Sequence, residues 1–479
     1  MQARFFLILV LAFFAPVIWA ENINLPNMGE KSSLVLSPLE EKRLGEQIMR
    51  TLKRHYFFVE DPEVTEYFSN LGYRLASELN QLDHKYAFHV MREPAINALA
   101  LPGGNIVVHS GLIRAAQDEN ELASVVAHEI VHISQGHINR ALERGNLANM
   151  SALAGFIGAI ILAGQNPELG QAMLSATYAG LIQMQINFTR ENEQEADRIG
   201  IDLLTRSGFD PMGMPQFFER LQQATRIYGQ ELPEFLRTHP VTTARIADAR
   251  NRVETLNYRK KTKSQLEFYL IQAKLRLIAD SSIENEKYFH ALLEDKLSKS
   301  QLIATKYGYA MALLDNKKAL QAKSIMLELL QQASNNLIFV TALARIAWET
   351  NAQGEAITIL KKALALNPNN HILVLNLADY YLQRDEAKYA LPFLRTHMRH
   401  HAETPYLYHL LSRAEGATGS LSAAHRARAE YFYLNGQTFA AIEQLKIAKD
   451  LRNINEYQRL KIETRLKQLE EIALQEKQI

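Results

Sequence analysis

The stretch His128-Glu129-Ile130-Val131-His132 has the pattern H-E-x-x-H, with two histidines four residues apart. On an α-helix, residues at positions i and i+4 share one face, so both imidazoles can face a single metal ion. Glu129 follows the first histidine and can reach a water molecule at that metal to accept its proton. The stretch therefore predicts a helix that carries a catalytic metal centre, with Glu129 as the general base.

The residues around this pattern predict a buried helix. Asp118 can cap its start, with Glu121 at the third helical position as in a capping box. Apolar residues recur at helical spacing and form one stripe; they are Leu122, Val125, Val126, Ile130 and Ile133. The alternative is a solvated helix whose histidines merely flank a carboxylate. That alternative would leave three ionisable groups without partners inside an apolar run, which is costly.

A catalytic zinc ion typically takes three ligands from the protein and keeps its fourth position for water. One group of metalloproteases supplies the third ligand from a histidine six residues after the second one, preceded by a glycine. Here those two positions hold Ile138 and Gln135. The third ligand must therefore come from elsewhere in the chain.

A glutamate on a second helix is the other known source of a third ligand. Residues 190–198, with the sequence RENEQEADR, contain three glutamates. Helical spacing favours Glu193, because Asp197 then lies one turn further along the same face and can accept the free N–H of a zinc histidine. Glu191 and Glu195 are the alternatives, and by this spacing they point elsewhere. Without the H-E-x-x-H pattern, the segment would read as an ordinary charged surface helix.

H-E-x-x-H followed about sixty residues later by E-x-x-A-D resembles the gluzincin family of zinc metallopeptidases. That family includes the CAAX prenyl protease and a bacterial inner-membrane heat-shock protease. Residues 97–108 (NALALPGGNIVV) resemble the family's segment before the zinc helix, in which a Pro-Gly-Gly turn leads into an edge strand. The resemblance covers residues 40–255 and implies one zinc ion per chain, held by His128, His132 and Glu193. An unpaired strand beside the zinc could bind substrate main chain by β-augmentation.

Two further residues are similar to the family's element after the third ligand. They lie in the stretch from Thr238 to Arg245, which contains a His-Pro pair followed by an arginine. His239 could stabilise the oxyanion or occupy the fourth zinc position in a closed state, and Arg245 could hold the developing negative charge. The alternative is a surface turn with a proline at the start of a helix. The resemblance thus implies Glu129, Asp197, His239 and Arg245 as catalytic residues.

The composition bounds the classes of protein to consider. A chain of 479 residues is long enough for two or more domains. The net charge of +1 is uninformative, and the sequence has no basic stripe interleaved with aromatic residues, so we expect no nucleic-acid binding. The chain has no cysteine, so a metal must be bound by histidine and carboxylate side chains.

Residues 1–20 contain Arg4, an apolar run up to Trp19 and the small residue Ala20. This arrangement is typical of a secretory signal peptide, and we expect export to a bacterial periplasm. The competing interpretation is an uncleaved anchor, because Ile18 is unusual near a cleavage site. The run is shorter than the roughly 20 residues that span a bilayer, which favours cleavage.

The segment from Ser151 to Gly164 (SALAGFIGAIILAG) is apolar and rich in small residues. Its fourteen residues are too few to cross a bilayer. It could be a core helix, a mobile apolar cover over the active site, or a surface that makes peripheral contact with a membrane. We favour the cover.

From residue 264 onward, small residues recur with a 34-residue period. One series is Ala310, Ala344, Ala378 and Ser412, and the other is Ala322, Ala356, Ala390 and Ala424. The period predicts an α-helical tetratricopeptide-repeat (TPR) solenoid, which offers a concave surface for partners. We expect a zinc metallopeptidase domain over residues 37–263 and a repeat domain over 264–479, with separate hydrophobic cores. His397, His400, His401 and His409 are predicted to be solvated helix residues and not ligands.

The sequence thus predicts a mainly α fold, in which a helical metalloprotease domain with a small β-sheet precedes a TPR solenoid. The combination of a signal peptide, this protease domain and repeats resembles periplasmic family members that assist outer-membrane β-barrel assembly. The resemblance implies a zinc endopeptidase, with possible chaperone activity, that acts in quality control of outer-membrane proteins. The repeats would engage misfolded or stalled clients and the β-barrel assembly machinery. The alternative is a TPR chaperone or adaptor whose protease is normally latent.

Overall fold

The structure is a computed structural model that describes residues 36–79, 85–144, 190–228, 233–256, 258, 265–401, 403–452 and 454–478. Two predicted features, the signal peptide at 1–20 and the apolar segment at 151–164, lie outside these residues. Within them, the chain is mainly α-helical with one small sheet, as the sequence predicts. No helix in the described ranges has the length and apolarity needed to cross a membrane.

The elements are numbered here in chain order through the described residues. The first part contains α1 (Pro38–His55), α2 (Pro62–Ala76), β1 (Ala87–Met91), β2 (Ala98–Leu101), β3 (Asn105–His109), α3 (Ser110–Ala115), α4 (Glu119–Ser134), α5 (His137–Arg144), α6 (Arg190–Arg206), α7 (Gly213–Tyr228), α8 (Glu234–Thr238) and α9 (Thr243–Thr255). The second part contains α10 (Leu266–Ala279), α11 (Ser282–Leu292), α12 (Lys299–Asp315), α13 (Ala319–Gln332), α14 (Leu337–Glu349), α15 (Gln353–Leu366), α16 (His371–Gln383), α17 (Ala387–Met398), α18 (Pro405–Ala417), α19 (Leu421–Leu434), α20 (Thr438–Asp450) and α21 (Glu456–Gln478).

The sheet has the strand order β1-β3-β2, with β1 parallel and β2 antiparallel to β3. A tight turn at Pro102–Gly104 joins β2 to β3, and its two glycines have φ values of 71° and 80°, which side-chain-bearing residues rarely adopt. The strand that follows the Pro-Gly-Gly turn is therefore central and paired on both sides. The prediction that this strand is an edge strand was wrong. The edge position beside it belongs to β2, whose residues are at most 1% exposed.

Helix α4 carries the H-E-x-x-H pattern and lies in the core. The side chain of Asp118 accepts a hydrogen bond of 3.0 Å from the backbone N–H of Glu121, as the capping prediction requires. Every residue from Glu121 to Ser134 is buried. Helices α6 and α7 and strand β2 all pack against α4, so these elements can bring side chains to its histidines.

The second part of the chain consists of antiparallel helix pairs. The two series of small residues fall in the first and the second helix of successive pairs, as the period predicts. In the four pairs from α12–α13 to α18–α19, one residue between the two helices has a positive φ, and these residues are Lys317, Asn351, Asp385 and Gly419. They recur at the same 34-residue interval as the alanines, and only the last is a glycine. The 34-residue repeat is therefore present both in the small residues at which the helices pack and in the positive-φ residues at which the chain turns.

The two predicted domains do not have separate hydrophobic cores. One cluster of buried apolar residues runs from Val59, in the protease part, to Ile346 in α14. A buried polar contact supports the same junction, because Lys274 of α10 forms ion pairs with Asp61 and Glu63 at the start of α2. The expectation of separate cores was therefore wrong. The helical pattern indicates that α10 to α14 bury an apolar face, but it does not specify the surface that covers this face.

The four histidines predicted to be solvated differ in their exposure. His400 is exposed, as predicted, whereas His401 and His409 are half-buried. His397, in contrast, is only 2% exposed, because it packs against His371 at the start of the neighbouring helix. The prediction for His397 was wrong.

Candidate metal centre

The two histidines of α4 lie side by side in the core, with their Nε2 atoms 2.9 Å apart. Helix α6 brings the carboxylate of Glu193 to them, with Oε2 at 3.4 Å from Nε2 of His128 and Oε1 at 3.4 Å from Nε2 of His132. His239 completes the group, because its Nδ1 lies 3.3 Å from Nε2 of His128. One donor atom from each of these four buried residues lies within 4.8 Å of the others. The residues predicted as metal ligands therefore converge on one point.

The donor set fits a zinc-type ion. Imidazole nitrogens with one carboxylate suit zinc, whereas magnesium and calcium favour sites made of oxygen atoms. Burial acts to raise the pKa of Glu193, but contacts with His239, His128 and His132 hold it well below its usual range. Glu193 is therefore available as a charged carboxylate, which is the form that binds a metal.

Asp197 and Arg245 orient His128 from behind. Asp197 lies one turn after Glu193, and its Oδ1 is 3.0 Å from Nδ1 of His128. Arg245 binds both oxygens of Asp197, with Nε and Nη2 at 2.7 and 2.8 Å. Burial acts to raise the pKa of Asp197, but the guanidinium of Arg245 lowers it, so the carboxylate can accept the proton of His128. A carboxylate behind a metal-binding imidazole fixes its tautomer.

Arg245 also contacts the candidate ligand Glu193. Its Nη1 lies 2.9 Å from Oε2 of Glu193 and 2.8 Å from the carbonyl oxygen of Pro240. Together with the two hydrogen bonds to Asp197, these contacts direct the guanidinium nitrogens of Arg245 at oxygen atoms of the protein. These contacts position Asp197 and Glu193, and the role of Arg245 in holding charge that develops on a substrate stays a prediction.

His132 has its own partner, His137, which its sequence position did not predict. Nδ1 of His137, the first residue of α5, lies 2.7 Å from Nδ1 of His132. The Nε2 atom of His137 lies 3.3 Å from Glu195, which also accepts a 2.7 Å hydrogen bond from Arg140. Glu195 thus points away from the candidate metal centre, as predicted. The signal that could have identified His137 is Gly136, whose φ of 64° ends α4 and redirects the chain.

Glu129 and His239 face each other in the same closed space. Neither side chain is exposed, and Nε2 of His239 lies 3.5 Å from Oε1 of Glu129. Burial raises the pKa of Glu129, because the apolar surroundings penalise the charged carboxylate. His239 follows α8, whose Phe235 carbonyl accepts its backbone N–H at 2.8 Å. The alternative prediction of a surface turn at His239 is therefore wrong.

Comparison with known proteins places this site in a family. Residues 62–253 match Peptidase family M48. The Beta-barrel assembly-enhancing protease of Escherichia coli (strain K12) is 35% identical over 460 residues, which cover 96% of this chain and 93% of that protein. The chain belongs to peptidase family M48. The M48 match includes all seven residues predicted for the site, and family membership makes the chain a metalloprotease, as predicted.

Other relatives differ in how much of this M48 chain they match. The Beta-barrel assembly-enhancing protease of Yersinia pestis is 35% identical over 448 residues, which cover 93% of this chain and 91% of that protein. The Mitochondrial metalloendopeptidase OMA1 of Schizosaccharomyces pombe is 31% identical over 211 residues, covering 43% of this chain and 59% of that protein. These relatives confirm the family resemblance inferred from the motifs.

Among solved structures, yeast Tom70 has a TM-score of 0.31 at 10% identity, and the match covers 75% of this M48 chain and 87% of Tom70. A tetratricopeptide repeat protein from Parabacteroides merdae has a TM-score of 0.29 at 13% identity, covering 61% and 98% of the two chains.

Proposed function

We propose that this protein is a periplasmic zinc-dependent endopeptidase that acts in the assembly and quality control of outer-membrane β-barrel proteins. In this proposal, His128, His132 and Glu193 hold one zinc ion, and Glu129 is the general base. The observation that carries it is the convergence of these three donor groups inside the core, with the carboxylate of Glu129 beside them. Burying so many ionisable groups would be costly without a bound cation to compensate for it.

The side chains around this point have complementary tasks in peptide-bond hydrolysis. A bound zinc ion supplies Lewis acidity, which polarises the substrate carbonyl and lowers the pKa of a water molecule towards about 7. Glu129 takes the proton of the attacking water and passes it to the departing amine. One carboxylate can make both transfers, because it is a base before the attack and an acid after it. Asp197 and His137 hold the two zinc histidines in the tautomers that direct Nε2 inward.

His239 is proposed as the group that keeps the enzyme latent. Its Nδ1 faces the donor atoms of His128 and Glu193, where it can take the fourth metal position in place of water. The four candidate ligands and Glu129 are all buried, so the arrangement supports a closed state. Movement of α8 and the residues after it would free the position for substrate.

The biological setting rests on the relatives and on the repeats. Full-length relatives are named for β-barrel assembly, and the sequence at residues 1–20 has the pattern of a secretory signal. The helix pairs from α12 to α19 provide a surface of the kind that binds other proteins. We therefore propose that the repeats engage stalled outer-membrane proteins or the machinery that assembles them. The second candidate function is a TPR chaperone with a normally latent protease. The position of His239 among the three proposed zinc ligands favours it.

Replacing Glu129 tests the enzyme and separates the two candidates. Glu129→Gln keeps the shape of the side chain and removes the base, so it should retain zinc and lose cleavage of casein and of an unfolded outer-membrane protein. Glu191→Gln, at an exposed position on the helix that carries Glu193, is the matched control and should behave as wild type. Wild-type turnover in Glu129→Gln would refute the mechanism. Suppression of client aggregation by Glu129→Gln would support an additional chaperone role.

A further inference from the structure

A second group of histidines lies in the repeat part, apart from the candidate metal centre. His371 is the first residue of α16, and His397 lies in the last turn of α17. Because these two helices are antiparallel neighbours, the start of one meets the end of the other. His401 follows the end of α17, four residues after His397. The three side chains are thus brought together by the pairing of two helices and by the segment that leads to α18.

The ring nitrogens of these histidines approach one another as closely as those of the candidate metal centre. Nδ1 of His371 lies 2.7 Å from Nε2 of His397. The ring of His401 stacks on that of His397, with centroids 3.9 Å apart. One nitrogen from each ring lies within 4.8 Å of the other two, and within the described ranges only the catalytic group shares this property. The trio therefore has the spacing of a ligand set.

One buried ring nitrogen of the three histidines has no hydrogen-bond partner among the described residues. This atom is Nδ1 of His397, a residue that is 2% exposed. Buried polar atoms in native proteins normally have a partner, so an unpaired ring nitrogen points to a missing ligand.

We propose that His371, His397 and His401 form a second metal site that binds a divalent transition-metal ion such as Zn²⁺. Imidazole is a preferred ligand of zinc, copper and nickel, whereas calcium and magnesium require oxygen ligands. His371 and His401 are half-buried, so one side of the site is open to water as an additional ligand. The ion would fasten the start of α16 to the end of α17 and to the following segment. It would therefore stabilise this repeat.

The number of zinc ions per full-length chain tests the site. Protein loaded with Zn²⁺ and passed through gel filtration should contain one zinc ion fewer in the double variant His371→Asn/His401→Asn than in wild type. The exposed neighbour His400 provides the matched control, and His400→Asn should retain the wild-type content. This difference does not depend on the catalytic site, because a failure there lowers the zinc content of all three proteins equally. Equal zinc in wild type and the double variant would overturn the proposal.

Thermal unfolding gives an independent measurement. A ligand that binds only the folded state raises the melting temperature. Added Zn²⁺ should therefore raise the melting temperature of metal-stripped wild type more than that of the double variant. The single variant His401→Asn serves if the double variant does not fold, because it alters only a residue beyond the end of α17. Added Zn²⁺ should also raise the melting temperature of this variant less than that of wild type. An identical zinc-induced shift in wild type and His401→Asn would contradict a metal site at this position.

Discussion

Nδ1 of His239 lies 3.1 Å from both carboxylate oxygens of Glu193. The imidazole therefore meets the proposed third zinc ligand on the side where a metal ion would also be bound. Its other nitrogen points towards Glu129, the proposed base. A single side chain thus contacts both a ligand and the base, and its removal should affect activity without removing a primary ligand.

His239→Ala should raise basal proteolysis or self-cleavage while zinc is retained, because the three proposed ligands remain and the fourth position becomes available to water. Zinc analysis and casein cleavage by the purified protein would measure both effects. His400→Ala, at an exposed position, is the control. A lower turnover in His239→Ala would instead assign this residue to transition-state stabilisation.

Glu193→Gln should lose the bound zinc, because the amide removes the negative charge of the ligand. The loss of affinity should exceed the about 10–100-fold effect typical of changes behind a ligand. Metal analysis after dialysis against a weak chelator would measure it, with Glu191→Gln on the same helix as control. Full zinc occupancy in Glu193→Gln would show that another group is the third ligand.

His137→Ala should weaken zinc binding or turnover by about 10–100-fold, although His137 is not a proposed ligand. The reason is that its Nδ1, 2.7 Å from Nδ1 of His132, keeps that imidazole in one orientation. Zinc titration together with separate kcat and KM values would reveal the change. Gln135→Ala, two residues earlier and only partly buried, should have little effect. Unchanged zinc affinity and turnover in His137→Ala would mean that the contact has no role in positioning.

Lys274→Met should lower the free energy of unfolding by about 3–5 kcal/mol, because it leaves the carboxylate of Glu63 buried without its cation. The two side chains are 15% and 5% exposed, so solvent screens them little. Lys306→Met removes a more exposed partner of Glu328 and should cost less than about 1 kcal/mol. Chemical denaturation of both variants would compare the two effects, and equal values would argue against a critical contact at the junction.

Truncation tests the shared core. A chain ending at residue 263 should fail to form a stable zinc-binding domain, because the buried cluster continues to Ile346. A chain ending at residue 350 keeps that cluster and should remain folded. Circular dichroism and zinc content would distinguish the two. A stable, zinc-loaded 1–263 fragment would show that the protease part folds without the repeats.

The sequence predicted which candidate ligands lie together because their geometry is local. His128 and His132 lie on one helical face by spacing alone, and Glu193 is connected to Asp197 by the same rule. His137 escaped prediction because its contact with His132 depends on the helix break at Gly136, which spacing along a continuous helix does not describe. The position of Arg245 depends on how α9 packs against α6. Such contacts between elements have no counterpart in the periodicity of a single segment.

The shared core was unpredictable for a related reason. Amphipathic spacing indicates that a residue such as Phe268 is buried, but not which surface covers it. Here that residue belongs to the same cluster as Val64 of α2. The 34-residue period, in contrast, was readable in the sequence, because every unit repeats the same neighbour contacts.

The left-handed turn residues have an evolutionary consequence. Lys317, Asn351, Asp385 and Gly419 divide the repeats into units of equal length, so that duplication or loss of a whole unit would preserve the contacts on both sides. The protease part nevertheless contacts the array beyond Ile346, because Nε of Arg54 in α1 donates a 2.9 Å hydrogen bond to the carbonyl oxygen of Gly436, after α19. A gain or loss of a unit before Gly436 would therefore displace this contact. The helices before Ile346 are more strongly constrained, because each change in them alters the surface against which α2 packs.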